Sequence, residues 1–302
     1  MNRIVVCQTT AGFARYLLAN RSEGAGKPIR VVIGFDSRHL SDVFARDIAE
    51  VMSGHEISAI VFPTNLPTPV LAFAVRELDA DAGVMVTASH NPASDNGYKV
   101  YLGGEDAGSQ IISPIDRLIE KHILEVAESQ TFCSIRRSTE LVSVLGEDLV
   151  EKYVLGILKS LNLAAPTALA PTVVYSAMHG VGGETFMRAM VAASFPKPQI
   201  VEQQFNPDPD FPTVTFPNPE EQGALDLSFE KARSVGADLI IAHDPDADRL
   251  AVTLPDPSAS AGFRMLTGNQ VGAIFGWHIA HKARSSGRTG TLANSLVSSP
   301  VL

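Results

Sequence analysis

Short apolar, β-branched runs separated by stretches of helical spacing limit the fold of this chain more than any other feature. RVVIGF (30–35), ISAIVF (57–62) and AGVMV (82–86) each read as a buried strand. Between the first two, Val43, Asp47 and Val51 recur at helical spacing. Val70, Ala74 and Leu78 do the same before the third, after a helix-start signal at Pro67-Thr68-Pro69. Strands alternating with helices predict an α/β fold: repeated α/β domains with mixed, mainly parallel sheets and helices on both faces. A polar, helix-rich stretch follows over 114–163, and APTALAPT (165–172) reads as a linker. The rhythm then restarts, with strands at 172–177, 198–201 and 237–243 and helices at 183–193 and 224–235. A proline-rich excursion over 206–219 interrupts this second unit. A helix at 268–283 and the strand-like TLANSLVSS (291–299) begin a third. The expected division is 1–145, 146–256, and an incomplete unit from 257 to 302.

Composition narrows the function classes. Hydrophobic residues at 45% and charged residues at 19% are globular values. The opening stretch reads as a helix, because polar Gln8-Thr9-Thr10 falls where a signal peptide keeps its apolar core. No apolar run is long enough to cross a bilayer, so no membrane role is expected. A net charge of -9, with no interleaving of basic and aromatic residues, argues against nucleic acid. Cys7 and Cys133 have no metal-type spacing and cannot build a disulfide framework, which suits a reducing cytoplasm.

The chemistry sits just beyond three strands, where open α/β sheets gather their ligands. Asp36-Ser37-Arg38 follows the first, Thr87-Ala88-Ser89-His90-Asn91-Pro92 the third, and Asp244-Pro245-Asp246-Ala247-Asp248-Arg249 the strand ending at His243. Asp244, Asp246 and Asp248 place carboxylates at alternate positions, a set of oxygen ligands suited to a hard divalent ion such as Mg²⁺. An EF-hand is excluded, since Arg249 and Pro255 stand where its Gly and Glu belong. A solvated Asp-Pro turn is the plainer alternative. Ser89 lacks the G-x-S-x-G elbow of hydrolases, and His90, its neighbour, is better placed to orient a phosphate than to act as base. An ordinary capped turn is the alternative there. Asn96-Gly97 predicts a reversal that returns Lys99 to Ser89 as an acid/base candidate, against a plain surface lysine. Arg38 and Arg249 read either as structural ion pairs or as forks for phosphate. Together these groups describe a phosphoryl-transfer site.

TASHNP, NGYK and DPDADR in this order resemble the α-D-phosphohexomutases, the superfamily of phosphoglucomutase and phosphomannomutase. The wording of VVIGFDSRHLSDVFA, LPTPVLAFAV and NPASDNGYKVYLGGEDAGSQIISPID is most similar to the phosphoglucomutase-2-like branch. The resemblance implies a four-domain enzyme with a phosphoserine at Ser89. It also implies Mg²⁺ held by Asp244, Asp246, Asp248 and a serine-phosphate oxygen, Lys99 as general acid/base, and Arg249, His90 and Arg38 around the transferring group. HGVGG (179–183) matches a structural loop of the second domain. The implied reaction exchanges sugar 1-phosphate and 6-phosphate, glucose first, through glucose 1,6-bisphosphate. Mannose or pentose phosphates are alternatives, as are a metal-dependent phosphatase and a non-catalytic remnant. On the family pattern a Gly- and Arg-containing loop should precede the opening helix, and the sugar-selecting and fourth-domain phosphate-binding loops should follow Leu302. The chain therefore reads as truncated at both ends, with a small phosphosugar as its partner and no oligomeric state legible.

Overall fold

The computed structural model describes residues 1–21, 27–146, 148–161, 170–295 and 298–299. In chain order its helices and strands are α1 (Arg3–Ala19), β1 (Arg30–Phe35), α2 (Ser41–Gly54), β2 (Ser58–Val61), α3 (Thr68–Glu77), β3 (Ala82–Val86), β4 (Tyr98–Leu102), β5 (Ser109–Gln110), α4 (Ile115–Ser129), β6 (Val142–Val144) and α5 (Asp148–Leu161). They continue with β7 (Val173–Ser176), α6 (Gly182–Ala192), β8 (Gln199–Ile200), α7 (Glu202–Phe205), α8 (Asp226–Val235), β9 (Leu239–His243), β10 (Leu250–Pro255), β11 (Phe263–Met265) and α9 (Gly268–Ser285).

One sheet runs β5-β4-β3-β1-β2-β6 and the other β11-β10-β9-β7-β8. In the first, β3, β1, β2 and β6 are parallel, while β4 and β5 are antiparallel additions at one edge. Alternation along β1 explains its double coverage. Val31 and Ile33 pack with Phe13 of α1 and Phe44 of α2, whereas Val32 turns to Val70 and Leu71 of α3. Strand β3 is buried at every residue, as expected of a strand covered on both faces.

The second sheet repeats the device, with β8, β7 and β9 parallel and β10 and β11 antiparallel. Helix α5 lies against both α3 and α6 and so bridges the two sheets' helical layers.

Some expectations fail. The antiparallel strands β4 and β10, second from the edge of their sheets, were assigned no element from the sequence. Asn96-Gly97 is not the tip of a tight turn: β3 and β4 pair antiparallel, with Met85 opposite Lys99, and the 87–97 segment is the long loop that joins them. The strand expected at 291–299 does not form among its described residues, and neither sheet takes a strand from them. The linker expected at 165–172 falls mostly outside the described residues. No described helix is long and apolar enough to cross a membrane.

Candidate active site

The turn after β3 and the turn after β9 face each other. Ser89 is buried with a left-handed backbone (φ 53°), and its amide donates to Thr87 Oγ1 at 2.9 Å. That compact turn aims its hydroxyl across the sheets, where Ser89 Oγ donates to Asp244 Oδ2 at 2.8 Å. Gly97 makes the turn possible. A Cβ there would stand 2.4 Å from Thr87 O, so only glycine lets the returning chain pass so close.

The acidic loop is held as tightly. Val181 donates its amide to Pro245 O at 2.8 Å, and a Cβ on Gly180 would lie 2.4 Å from Pro245 Cα. The HGVGG segment is thus the floor on which the aspartates rest. Asp244 and Asp246 are fully buried, and ligand oxygens of Asp244, Asp246 and Asp248 lie within 4.8 Å of one another. Burial pushes the Asp244 carboxyl up to about 8, with Asp246 and Asp248 adding to the rise. Burial also acts to raise Asp246, but Lys99 above all holds it below the usual range.

Lys99 arrives on β4. Its Nζ donates to Asp246 Oδ2 and Asp248 Oδ2, both at 2.7 Å. Burial opposes the ammonium charge, yet the two aspartates outweigh it and raise the pKa above the ordinary lysine value. A protonated Lys99 is an acid rather than a base. Arg249 donates its amide to Asp244 Oδ1 at 3.0 Å, while its exposed guanidinium lies 4.0 Å from Asp248 Oδ1. His90 Nδ1 is 3.5 Å from Ser89 Oγ, and burial, then Arg249, lowers its pKa.

Arg38 corrects the sequence reading. Its side chain is fully buried, and the four Nη hydrogens go to the carbonyls of Ser89, Asn91, Pro92 and Asp95. Nε sits 3.3 Å from Asp36 Oδ2, and the Phe211 ring lies 5.0 Å from the guanidinium carbon. No Nη hydrogen remains to fork a phosphate, because the serine loop's own carbonyls consume them. Arg38 is a clamp on that loop. Phe211 comes from the proline-rich excursion, whose Asp210 also meets His39 at 2.7 Å.

Two contributors escaped the sequence reading. Asp36 accepts from Ser41 Oγ at 2.7 Å and from the Arg38 amide at 3.0 Å, anchoring the clamp. Thr68, inside the Pro-Thr-Pro signal read only as a helix start, donates to Asp246 Oδ2 at 2.5 Å. Its polar side chain between two prolines was the available clue.

A metal fits this set. The donors are all oxygen, and Asp246 Oδ1 is buried with no hydrogen-bond partner among the described residues, an atom left bare where a cation supplies the missing contact.

Comparison with known proteins identifies the family. The family model for phosphoglucomutase/phosphomannomutase alpha/beta/alpha domain I matches residues 1–130, and that for domain II matches residues 151–256. The chain belongs to the phosphoglucomutase/phosphomannomutase family. A probable phosphomannomutase of Haemophilus influenzae is 49% identical over 302 residues, covering 100% of this chain and 59% of that protein. The phosphopentomutase of Mus musculus is 38% identical over 325 residues, covering 100% of this chain and 50% of the relative. This member of the family therefore spans about half the length of the curated relatives it matches. A phosphoglucomutase/phosphomannomutase family protein from Burkholderia thailandensis superposes with a TM-score of 0.72 at 21% identity, covering 93% of this chain and 56% of that one, and so shares the fold.

Proposed function

We propose that this chain carries the phosphoryl-transfer machinery of a phosphosugar mutase, exchanging the 1- and 6-phosphates of a hexose through a phosphoserine at Ser89. The observation that carries the reading is the 2.8 Å contact between Ser89 Oγ and Asp244 Oδ2 at the edge of an all-oxygen acidic cluster. In the loading step Ser89 Oγ forms a bond to a phosphorus of the sugar bisphosphate. The hydroxyl proton passes to Asp244 Oδ2, and the P–O bond to the sugar breaks. The departing sugar oxygen takes a proton from the Lys99 ammonium. In the return step the free hydroxyl of the sugar monophosphate bonds to the phosphoserine phosphorus and gives its proton to the Lys99 amine, while the Ser89 Oγ–P bond breaks and Oγ takes a proton back from Asp244.

Asp244, Asp246 and Asp248 are the residues that would hold Mg²⁺, which when bound supplies charge neutralisation to the transferring phosphoryl oxygens. Arg249, exposed at the mouth, and His90 are placed to meet phosphate oxygens, while Arg38 keeps the serine loop in shape. The family resemblance favours glucose 1-phosphate and the description of the H. influenzae relative favours mannose 1-phosphate.

The test is conversion of glucose 1-phosphate, mannose 1-phosphate and ribose 1-phosphate with Mg²⁺ and a catalytic amount of the matching bisphosphate, in the wild type and in Ser89→Ala. Turnover by the wild type alone, with a phosphate mapped to Ser89, supports the proposal. Phosphate release that persists in Ser89→Ala points instead to a phosphatase and overturns it. A folded wild type that neither converts a sugar phosphate nor accepts a phosphoryl group overturns it as well, in favour of a remnant.

A further inference from the structure

We infer that Thr68 is a positioning residue for the cation site: it fixes which oxygen of Asp246 faces the metal and ties that choice to the opposite sheet. This inference rests on the metal reading above. Thr68 opens α3, a helix that packs on β1 and β3 of the first sheet, yet both its polar groups reach the acidic loop of the second. Its hydroxyl donates to Asp246 Oδ2 at 2.5 Å and its amide donates to Asp246 O at 2.9 Å. Backbone and side chain of one aspartate are therefore held by one threonine, itself buried.

The consequence lies in the other oxygen. Oδ2 already accepts from Thr68 and from Lys99, so it has little left to offer a cation. Oδ1 is buried and bare. A carboxylate free to rotate about its Cβ–Cγ bond could present either oxygen or share the lone pairs between lysine and metal. With Thr68 and Lys99 holding Oδ2, Oδ1 is the oxygen left for a cation. Outer hydrogen bonds of this kind orient metal-binding carboxylates, and their loss weakens metal binding by about ten- to a hundred-fold.

The experiment is a Mn²⁺ titration of the full chain, followed by paramagnetic resonance and calorimetry, in wild type, Thr68→Val and Thr68→Ser, with melting temperatures recorded in chelator. Valine keeps the shape and removes the donor. The expected result is a dissociation constant raised about ten- to a hundred-fold in Thr68→Val and close to wild type in Thr68→Ser. If valine does not fold, Thr68→Ala, which only removes atoms, is held to the same expectation. A wild type that binds Mn²⁺ with an unchanged constant in the variant lacking the hydroxyl overturns this inference and leaves the metal reading intact, even where the melting temperature falls. Equal weakening in serine and valine assigns the effect to packing and overturns it too. A wild type that does not bind Mn²⁺ overturns the metal reading and this inference together.

Discussion

Ser89 Oγ and Asp244 Oδ2 are 2.8 Å apart across 155 positions of sequence. Neither residue's own loop accounts for that meeting. The serine turn projects from the end of a parallel strand in one sheet and the acidic turn from the end of a parallel strand in the other, so the contact exists because both strand ends point into one crevice. Asp244→Asn keeps the size of the side chain but removes the charge that receives the hydroxyl proton. The variant is expected to fold and to lose phosphoryl uptake at Ser89 by at least about a hundred-fold, the scale of general acid/base assistance. Intact mass and peptide mapping after incubation with bisphosphate check it, and wild-type labelling of the variant would remove Asp244 from the transfer.

Arg38 and the serine loop form a second pair that can be broken. Arg38→Ala strands the buried Asp36 carboxylate and leaves carbonyls of Ser89 and Asn91 without donors. Removing one partner of a buried ion pair costs about 3–5 kcal/mol. Denaturant unfolding should register a loss of that order in the transition that includes β1 and β3. Arg38→Lys should recover little of it, because an ammonium cannot serve carbonyls on four residues in one plane. An Arg38→Ala protein that unfolds at the wild-type midpoint would contradict the clamp.

The strands β1, β3 and β7, and the residues that follow them, were legible in the sequence because burial on both faces demands a continuous apolar run and the site begins where the run ends, and β9 was legible as an apolar run although only alternate residues of it are buried. Lys99 was legible as a returning residue, though by way of a strand rather than a tight turn. The role of Arg38 was not. A buried arginine beside an aspartate has the same spelling whether its fork meets a ligand or four carbonyls, and only the path of the 89–95 loop decides. Thr68 was hidden for a related reason, since its partner lies in the other sheet and no local period marks a contact made across a crevice.

Gly180 is predicted to be intolerant of any side chain. A Cβ there would meet the Pro245 backbone at 2.4 Å, a contact that backbone cannot relieve without lifting the acidic loop. Overpacking of this kind costs about 1–3 kcal/mol. Gly180→Ala should therefore lower the melting temperature and weaken Mn²⁺ binding together, because the strained element carries Asp244 and Asp246. Stability lost with metal affinity untouched would show that the HGVGG segment does not support the aspartates.

The two cysteines test the packing of α1. Cys7 is buried among Ala11, Val51, Val126 and Ile135, whereas Cys133 is exposed, and both thiols are free. Burial, then the nearby Asp47, pushes the Cys7 thiol up to about 11. Its reactive thiolate is thus scarce near pH 8, so an alkylating reagent should label Cys133 quickly and Cys7 only after denaturation. The same shift has a defined sign for stability. The folded state retains the proton more strongly than the unfolded one, so this contribution is complete below the unfolded thiol's value of about 8.5 and is lost as pH rises towards about 11. Cys7→Ala should flatten that part of the stability profile, and rapid native labelling of Cys7 would mean that α1 does not seal the first sheet.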